Sequence, residues 1–346
     1  MSTFDWVFTI QLHYAIIIFT RKVDHMKLTQ ADTNPFKYSN TNKRYHTYDY
    51  YLKTKFGGKV AKIPLDCGFT CPNIDGTRGR GGCIYCSERG SGDFARPASL
   101  PISVQYRETF DMMRKKWDTD MAIPYFQAHT NTYAPIDTLR TLYYEALSFD
   151  GVVGMNIATR ADCLSDEVCR LLAEIAERTV LTVELGLQSV HESTARLINR
   201  CHTYAEFCDG YAKLRNASDK INVCIHLIEG LPGENREMML ESARQVAVLH
   251  PEQVKLHCLN VLKNTALASL YESGRYTPIT RDGFISIVCD SLELFPADIV
   301  IGRLTGDADR KKLIEPQWST RKTEVINMID QELYRRGTYQ GIRHGR

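Results

Sequence analysis

From Val60 onward, short apolar runs alternate with helical patterns, and this alternation leaves few folds open. Val60 to Leu65, Ile123 to Gln127, Gly151 to Thr159, Val180 to Leu187, Ile221 to Ile228, Gln253 to Leu259 and Ile299 to Arg303 read as strands. Helical patterns lie between them, over 104–116, 136–149, 165–178, 204–216, 237–249 and 281–294. This order at this spacing predicts parallel βα units. Right-handed crossovers then place the helices on one side of a curved sheet. Six or seven units make a partial or complete barrel. The expected class is α/β, a partial (β/α)6-type, TIM-like barrel over residues 60–308. Function in such folds gathers on the loops that follow the strand C-terminal ends.

Three other segments flank the expected barrel. Residues 1–33 read as an N-terminal extension, poorly ordered, with Met26 as an alternative start. Ala15 to Phe19 is apolar, but Asp5, Gln11 and His13 interrupt the stretch before it. That is too short and too polar for a membrane span, and it has no basic leader or small-residue cleavage site. Residues 34–59 form a basic, aromatic lead-in, and 309–346 hold a C-terminal basic helix, over 320–336, and a tail. Lys, Arg, Asp and Glu sum to −1 over 1–19, +7 over 20–62, −8 over 63–308 and +4 over 309–346, so two basic flanks enclose an acidic core. The first flank interleaves Phe36, Tyr38, Tyr45, Tyr48, Tyr50, Tyr51 and Phe56 with Lys37, Lys43, Arg44, Lys53, Lys55 and Lys59. Cations attract phosphate and flat rings stack on bases. The alternative is an amphipathic helix from Tyr45 to Phe56 whose rings pack on the core.

Eleven cysteines are not spaced as a secreted disulfide framework, and a chain of 346 residues does not need one. A reducing cytoplasm with thiols free for metal is the expected setting. Cys71, Cys83 and Cys86 lie in one glycine-rich stretch directly after the first strand, on the functional face of the barrel. Thiolates converging from such a loop suit a soft metal centre. Four ligands, with Cys67 included, close a zinc site. Three leave one position open for chemistry. Gly76, Gly79, Gly81 and Gly82 let the backbone turn sharply beside a bulky cluster. Tyr85, before the last cysteine, places a ring beside whatever binds the open position. Cys67-x3-Cys71, followed eleven residues later by Cys83-x2-Cys86, is a poor zinc-ribbon spacing. The other seven cysteines are scattered singly and read as small buried residues; no second Cys-x2-Cys pair exists to hold an auxiliary cluster.

This pattern resembles the radical S-adenosylmethionine (SAM) superfamily, whose usual motif is Cys-x3-Cys-x-aromatic-Cys. Here eleven residues, not three, separate the first two cysteines. A longer first gap also occurs in the catalytic subunit of the elongator complex and its bacterial relatives. Gly68-Phe69-Thr70-Cys71-Pro72-Asn73 and Gly79-Arg80-Gly81-Gly82-Cys83 resemble most closely the YtqA/YhcC-type radical SAM proteins. So do Asn34 to Tyr38, Asn42 to His46, Tyr125-Phe126-Gln127, Thr130 to Pro135, Ala158-Thr159-Arg160, Glu184 to Ser189, Gly230 to Glu234 and Lys255-Leu256-His257. The resemblance spans roughly residues 34–342. It implies a 4Fe–4S cluster on Cys71, Cys83 and Cys86, and S-adenosyl-L-methionine chelated to the open iron. It implies reductive cleavage to a 5′-deoxyadenosyl radical that abstracts a substrate hydrogen, with an electron donor such as flavodoxin or ferredoxin. Through the elongator and YtqA branches it implies a tRNA substrate: wobble uridine, with conversion of a carboxymethylaminomethyl side chain to aminomethyl. After residue 310 only one helix, over 320–336, is expected, and so no counterpart of the elongator acetyltransferase domain is expected within these residues.

Several polar residues fall on the barrel face. Gln127, Thr130 and Asn131 follow the second strand, near the expected methionine amino group. Arg160 follows the third and is expected to face a carboxylate or phosphate; Asp162 is its structural alternative. Glu184 and Gln188 share a face of the fourth strand, where ribose hydroxyls are expected partners, with an ion pair to Arg160 or Lys255 as the alternative. His226, Lys255 and His257 are the candidate catalytic, substrate-facing groups, and Arg303 closes the series. With Tyr85, Gln127, Asn131, Arg160, Glu184 and Gln188 form the expected cofactor-binding set. Two rival functions stay open at this stage. One is a radical enzyme acting on a small metabolite. The other is a zinc-stabilised RNA-binding protein without catalysis.

Overall fold

A computed structural model describes residues 34–345 apart from Ser91 and Asp307; the expected extension over 1–33 lies outside the described residues. Nine strands form: β1 (Ala61–Leu65), β2 (Ala122–Phe126), β3 (Gly154–Thr159), β4 (Val180–Gln188), β5 (Asn222–Glu229), β6 (Gln253–Cys258), β7 (Val261–Leu262), β8 (Val300–Arg303) and β9 (Leu313–Glu315). Seven make one parallel sheet in the order β1-β2-β3-β4-β5-β6-β8. This curled, open half-barrel has seven strands where a (β/α)6 pattern has six. The short strands β7 and β9 pair antiparallel beside it.

Helices α1 (Tyr48–Phe56), α2 (Ile102–Trp117), α3 (Ile136–Leu147), α4 (Asp166–Ala176), α5 (Glu192–Leu197), α6 (Tyr204–Ala217), α7 (Arg236–Leu249), α8 (Ala266–Glu272), α9 (Arg281–Leu294) and α10 (Lys322–Arg335) accompany the sheet. Their starts are written in the sequence. The Ser165 side chain accepts from the Val168 N–H and Asp166 and Glu167 occupy the first turn of α4. Thr203 and Glu206 form a capping box at α6. None of the described helices is long and apolar enough to cross a membrane.

Strand periodicity sorts the side chains. On β4, Leu181, Val183, Leu185 and Leu187 are fully buried in the main core beneath the helices. Thr182, Glu184 and Gly186 alternate with them and face the barrel interior. On β1, Ile63 belongs to the same core while Lys62 points inward. The interior is therefore polar, and the apolar core lies between sheet and helices.

The lead-in is part of this body. Phe36 and Tyr45 are buried, and the Tyr38 ring stacks on His46 at 4.9 Å. The Ile301 N–H donates to His46 O (2.7 Å) and the Gln340 N–H to Arg44 O (2.9 Å). Lys43 pairs with Asp330 of α10. The two basic flanks are thus sewn to each other and to β8. The rings weighed for base stacking are used for packing: Phe36 meets Tyr339 of the other flank, while Tyr48, Tyr51 and Phe56 pack against Leu52, Val60 and Ile123.

Candidate active site

The cysteine loop leaves β1 and turns back on itself at once. Gly81 (φ +81°) and Gly82 (φ +74°) occupy the left-handed region, where a Cβ is strained. The loop is pinned from β4's side of the barrel. The Asn199 side chain donates to Arg80 O (3.1 Å) and Gly82 O (2.8 Å), Asn73 donates to Asn199 O, and the Ile84 N–H donates to Ile198 O (3.1 Å). Arg78 reaches Glu206 at 2.6 Å, tying the loop to the α6 cap. Sequence reasoning missed Asn73 and Asn199, since a lone asparagine in a turn carries no distinguishing signal.

All eleven cysteines are free thiols. Cys86 donates to Cys83, which holds Cys83 down to about 7 against its burial; the same bond, with burial, pushes Cys86 well up. Asn73 donates to Cys83 Sγ at 3.6 Å, and Cys71 is close enough to act on Cys86. Cys67 stands apart. It packs against the main core, and burial, then Asp66, pushes its thiol to about 12. Three thiols from one loop, with Cys83 and Cys86 in hydrogen-bond contact and Cys71 beside Cys86, make an all-sulfur donor set of the kind that soft iron centres take.

Two buried guanidinium groups back the thiols. Arg160 binds Asp162 through two contacts of 2.9 Å and donates to Arg200 O at 2.9 Å. Its alternative partner Asp162 is thus the one it takes, and its positive charge lies close enough to lower Cys83. Arg200, 1% exposed, donates to the carbonyls of Leu187, Ser189 and His202, and its Nη2 has no partner. Cations held beside three thiols match the charge of an anionic cluster.

Gln127, Asn131, Gln188 and Tyr85 stand at or beyond the strand C-terminal ends, whereas Glu184 does not, and protein donors occupy both of its oxygens. Gln127 directly follows β2, and its N–H donates to Leu65 O at 3.3 Å. The Asn131 Nδ2 donates to Ala158 O at 2.9 Å, while its Oδ1 is buried without a partner. Gln188 takes φ +62° and folds its amide over Gly186, 2.4 Å from where a Cβ would stand. Only glycine at 186 permits this. Tyr85 lies with its hydroxyl against Cys83. Converging thiols and an orphaned Asn131 oxygen together fit a cluster with a chelated, amino-bearing ligand above it.

Deeper in the barrel, Glu184 is a saturated hub. Its Oε1 accepts from Lys62 (2.7 Å) and Asn156 (2.7 Å). Its Oε2 accepts from Tyr125 (2.8 Å), His226 (2.9 Å) and Lys255. Burial alone would raise this carboxyl, but Lys255 and Lys62 hold it well below the usual range. Both oxygens are thus taken by protein donors, which leaves Gln188 as the β4 side chain at the open end. Burial and Lys255 lower His226 to about 4, so it is neutral and its Nε2 carries the proton given to Glu184. His257 stacks obliquely at 5.1 Å from His226, is held well below its usual range by burial, and keeps an unpartnered, buried Nε2. Of the three candidate catalytic groups, His226 and Lys255 belong to the hub and His257 has a free ring atom.

Comparisons with known proteins accord with this geometry. A family model described as the Radical SAM superfamily matches residues 74–246, and one described as the Radical_SAM C-terminal domain matches residues 251–335. YtqA of Bacillus subtilis is 48% identical over 308 residues, 89% of this chain and 95% of its own. YhcC of Escherichia coli is 32% identical over 297 residues, 85% and 94% of the two chains. The solved structure of archaeal Methanocaldococcus infernus Elp3 superposes with a TM-score of 0.62 at 16% identity, covering 82% of this chain and 64% of that one, a likeness of fold.

Proposed function

The chain belongs to the radical SAM superfamily, and from that premise we propose that it acts on tRNA, converting a carboxymethylaminomethyl side chain at C5 of the wobble uridine to aminomethyl. As a radical SAM enzyme it uses a 4Fe–4S cluster and S-adenosyl-L-methionine, and it needs a reductant. When bound, the pair supplies a 5′-deoxyadenosyl radical for hydrogen abstraction. Cys71, Cys83 and Cys86 hold the cluster. Asn131 Oδ1 receives the methionine amino group, Gln188 meets the ribose, and Tyr85, Gln127 and Arg160 border the cluster and its ligand. His257 faces the substrate. A flavodoxin or ferredoxin delivers the electron, in the cytoplasm.

One observation carries the RNA partner. Exposed cations stand on the segments that follow the strands: Arg80 in the cysteine loop after β1, Arg196 in the last turn of α5 after β4, Lys263 after β7, and Arg310 and Lys311 after β8. Phosphate contacts of this kind supply affinity for RNA, and an exposed ring such as Phe94, 58% accessible in the same loop system, offers a base a stacking face. The nucleoside profile of tRNA from a deletion strain tests the proposal. Carboxymethylaminomethyl uridine should accumulate and aminomethyl-derived uridines should disappear. An unchanged profile moves the substrate to a small metabolite. Colourless protein with one zinc per chain would leave an RNA-binding module without catalysis.

A further inference from the structure

Two lysines in the barrel interior share one carboxylate. Lys62 comes from β1 and Lys255 from β6, on opposite sides of the interior, and both bond Glu184. No other carboxylate is bonded to either ammonium among the described residues. Asn156, Tyr125 and the neutral His226 complete the hub and add no negative charge. Two lysines against one carboxylate leave the inner face without a second counter-charge, and Arg303 of β8 adds its positive charge to the same region, acting on Tyr125 and His257. Each ammonium has three donors, and each spends one on Glu184. Both also lie over the Tyr125 ring, at 4.0 Å for Lys62 and 5.1 Å for Lys255.

Such an arrangement is poorly explained by stability. A buried ion pair is at best near break-even, and a second buried ammonium without its own counter-charge adds cost. Hydrophobic residues would close the interior more cheaply. The two lysines also differ. The Lys255 side chain is 7% exposed and locked to the hub, whereas Lys62 is 25% exposed, open to whatever fills the barrel. We propose that Lys62, positioned by Glu184 and Tyr125 and backed by Lys255, is a binding site for a carboxylate carried by the substrate. The assignment rests on the reading of the substrate given above, whose side chain ends in a carboxylate before conversion and in an amine after it. Lys62 then favours substrate over product, since the departing carboxylate removes the counter-charge and the remaining aminomethyl cation meets a lysine. Burial and Lys255 draw Lys62 down to about 7, so an arriving carboxylate restores its proton.

Isothermal titration calorimetry on the cluster-loaded protein with S-adenosyl-L-methionine tests this at pH 7.5, in two buffers of different ionisation enthalpy. The probes are 5-carboxymethylaminomethyluridine, 5-aminomethyluridine and succinate. The wild type should bind the carboxylate nucleoside at least tenfold more tightly than the aminomethyl one, with net proton uptake. Lys62→Met should reduce the preference to within twofold and abolish the uptake. Lys62→Arg should keep the preference and lose the uptake, because arginine does not deprotonate. Urea unfolding of each variant confirms that it folds, and the arginine variant carries the test if the methionine one does not. Equal affinity of wild type for both nucleosides, or a preference that survives in Lys62→Met, overturns the site. Succinate bound by wild type and lost in Lys62→Met, with neither nucleoside bound, upholds the lysine site and removes the uridine reading. No carboxylate probe bound by wild type overturns the site itself.

Discussion

Asn131 and Glu184 are both buried polar residues of the same barrel, and the protein treats them in opposite ways. Asn131, at the strand C-terminal ends, spends its Nδ2 on Ala158 O and leaves its Oδ1 with nothing. Glu184, midway along β4, has five donors on two oxygens. Asn73 Oδ1 and Arg200 Nη2, near the cysteine loop, resemble Asn131 in lacking partners. Buried polar groups are nearly always satisfied within a folded chain. The three on the cysteine-loop side mark where a bound group completes the structure, whereas others lie at His202, His257 and, on α9 and α10, Asp290, Ser291 and Asp330, and a saturated hub marks scaffold. Lys62 belongs to the hub yet remains partly open, which joins the two regions.

Removing the thiols tests the open end most severely. Cys71→Ala, Cys83→Ala or Cys86→Ala should each take iron from about four per chain to none in anaerobically purified protein. Cys67→Ala should keep the full complement, because its thiol packs against the core and is pushed up to about 12 by burial and Asp66. Iron lost from the Cys67 variant as well would mean a fourth protein ligand, and the open position would vanish.

The hub should respond in stability. Glu184→Gln leaves Lys62 and Lys255 buried without a counter-charge and should cost about 3–5 kcal/mol in urea unfolding. A loss near 1 kcal/mol would show the hub to be solvated and the contrast with the mouth to be superficial. Acid probes the same cluster. Glu184 and His226 both have lowered pKa values in the folded protein, so the unfolded chain binds more protons and stability falls as pH falls. The His226 share is present at neutral pH and is lost between about 6.5, its unfolded value, and about 4. By pH 5 about 2 kcal/mol of that share should already be lost. His226→Asn should reduce the slope of that stretch without abolishing it, because His202 and His257 are lowered as well, and should leave untouched the loss below it, which Glu184 shares with Glu206 and Glu332.

Much of this architecture is legible in the chain. The βα alternation gives six of the seven large-sheet strands to within a residue or two at each end, because the buried outer face needs continuous apolar side chains at every second position. Gly151 to Val153, expected in β3, stays outside it. The cysteine loop is legible because its chemistry is local. The interior is less so. Lys62 and Lys255 interrupt apolar strands, which signals an inward polar face, but nothing in either segment says that both meet Glu184. That depends on strands β1, β4 and β6 curling toward one another. The lead-in aromatics were ambiguous for the same reason: only the partnership with residues 290–343 decides whether a ring packs or stacks. The left-handed backbone at Gln188 and the fold of its amide over Gly186 have no signal in the strand's own residues.

The mildest substitution is the sharpest comparison of mouth and hub, because Asn131 divides its two ends between them. Asn131→Ala removes the donor to Ala158 O and should lower stability by about 1 kcal/mol. It also removes the orphan oxygen and should weaken S-adenosyl-L-methionine binding about tenfold, or about 1.4 kcal/mol, by calorimetry on reconstituted protein. Asn131→Asp keeps an oxygen for a protonated amine and strengthens its charge, yet sets a carboxylate oxygen against the Ala158 carbonyl. It should therefore lower stability more than alanine does while holding affinity close to that of the wild type. A ligand-facing oxygen and a scaffold-facing nitrogen predict that crossing. Stability and affinity falling in proportion across both variants would instead make the unpaired oxygen a packing defect, and the distinction between an open mouth and a closed hub would lose its best single residue.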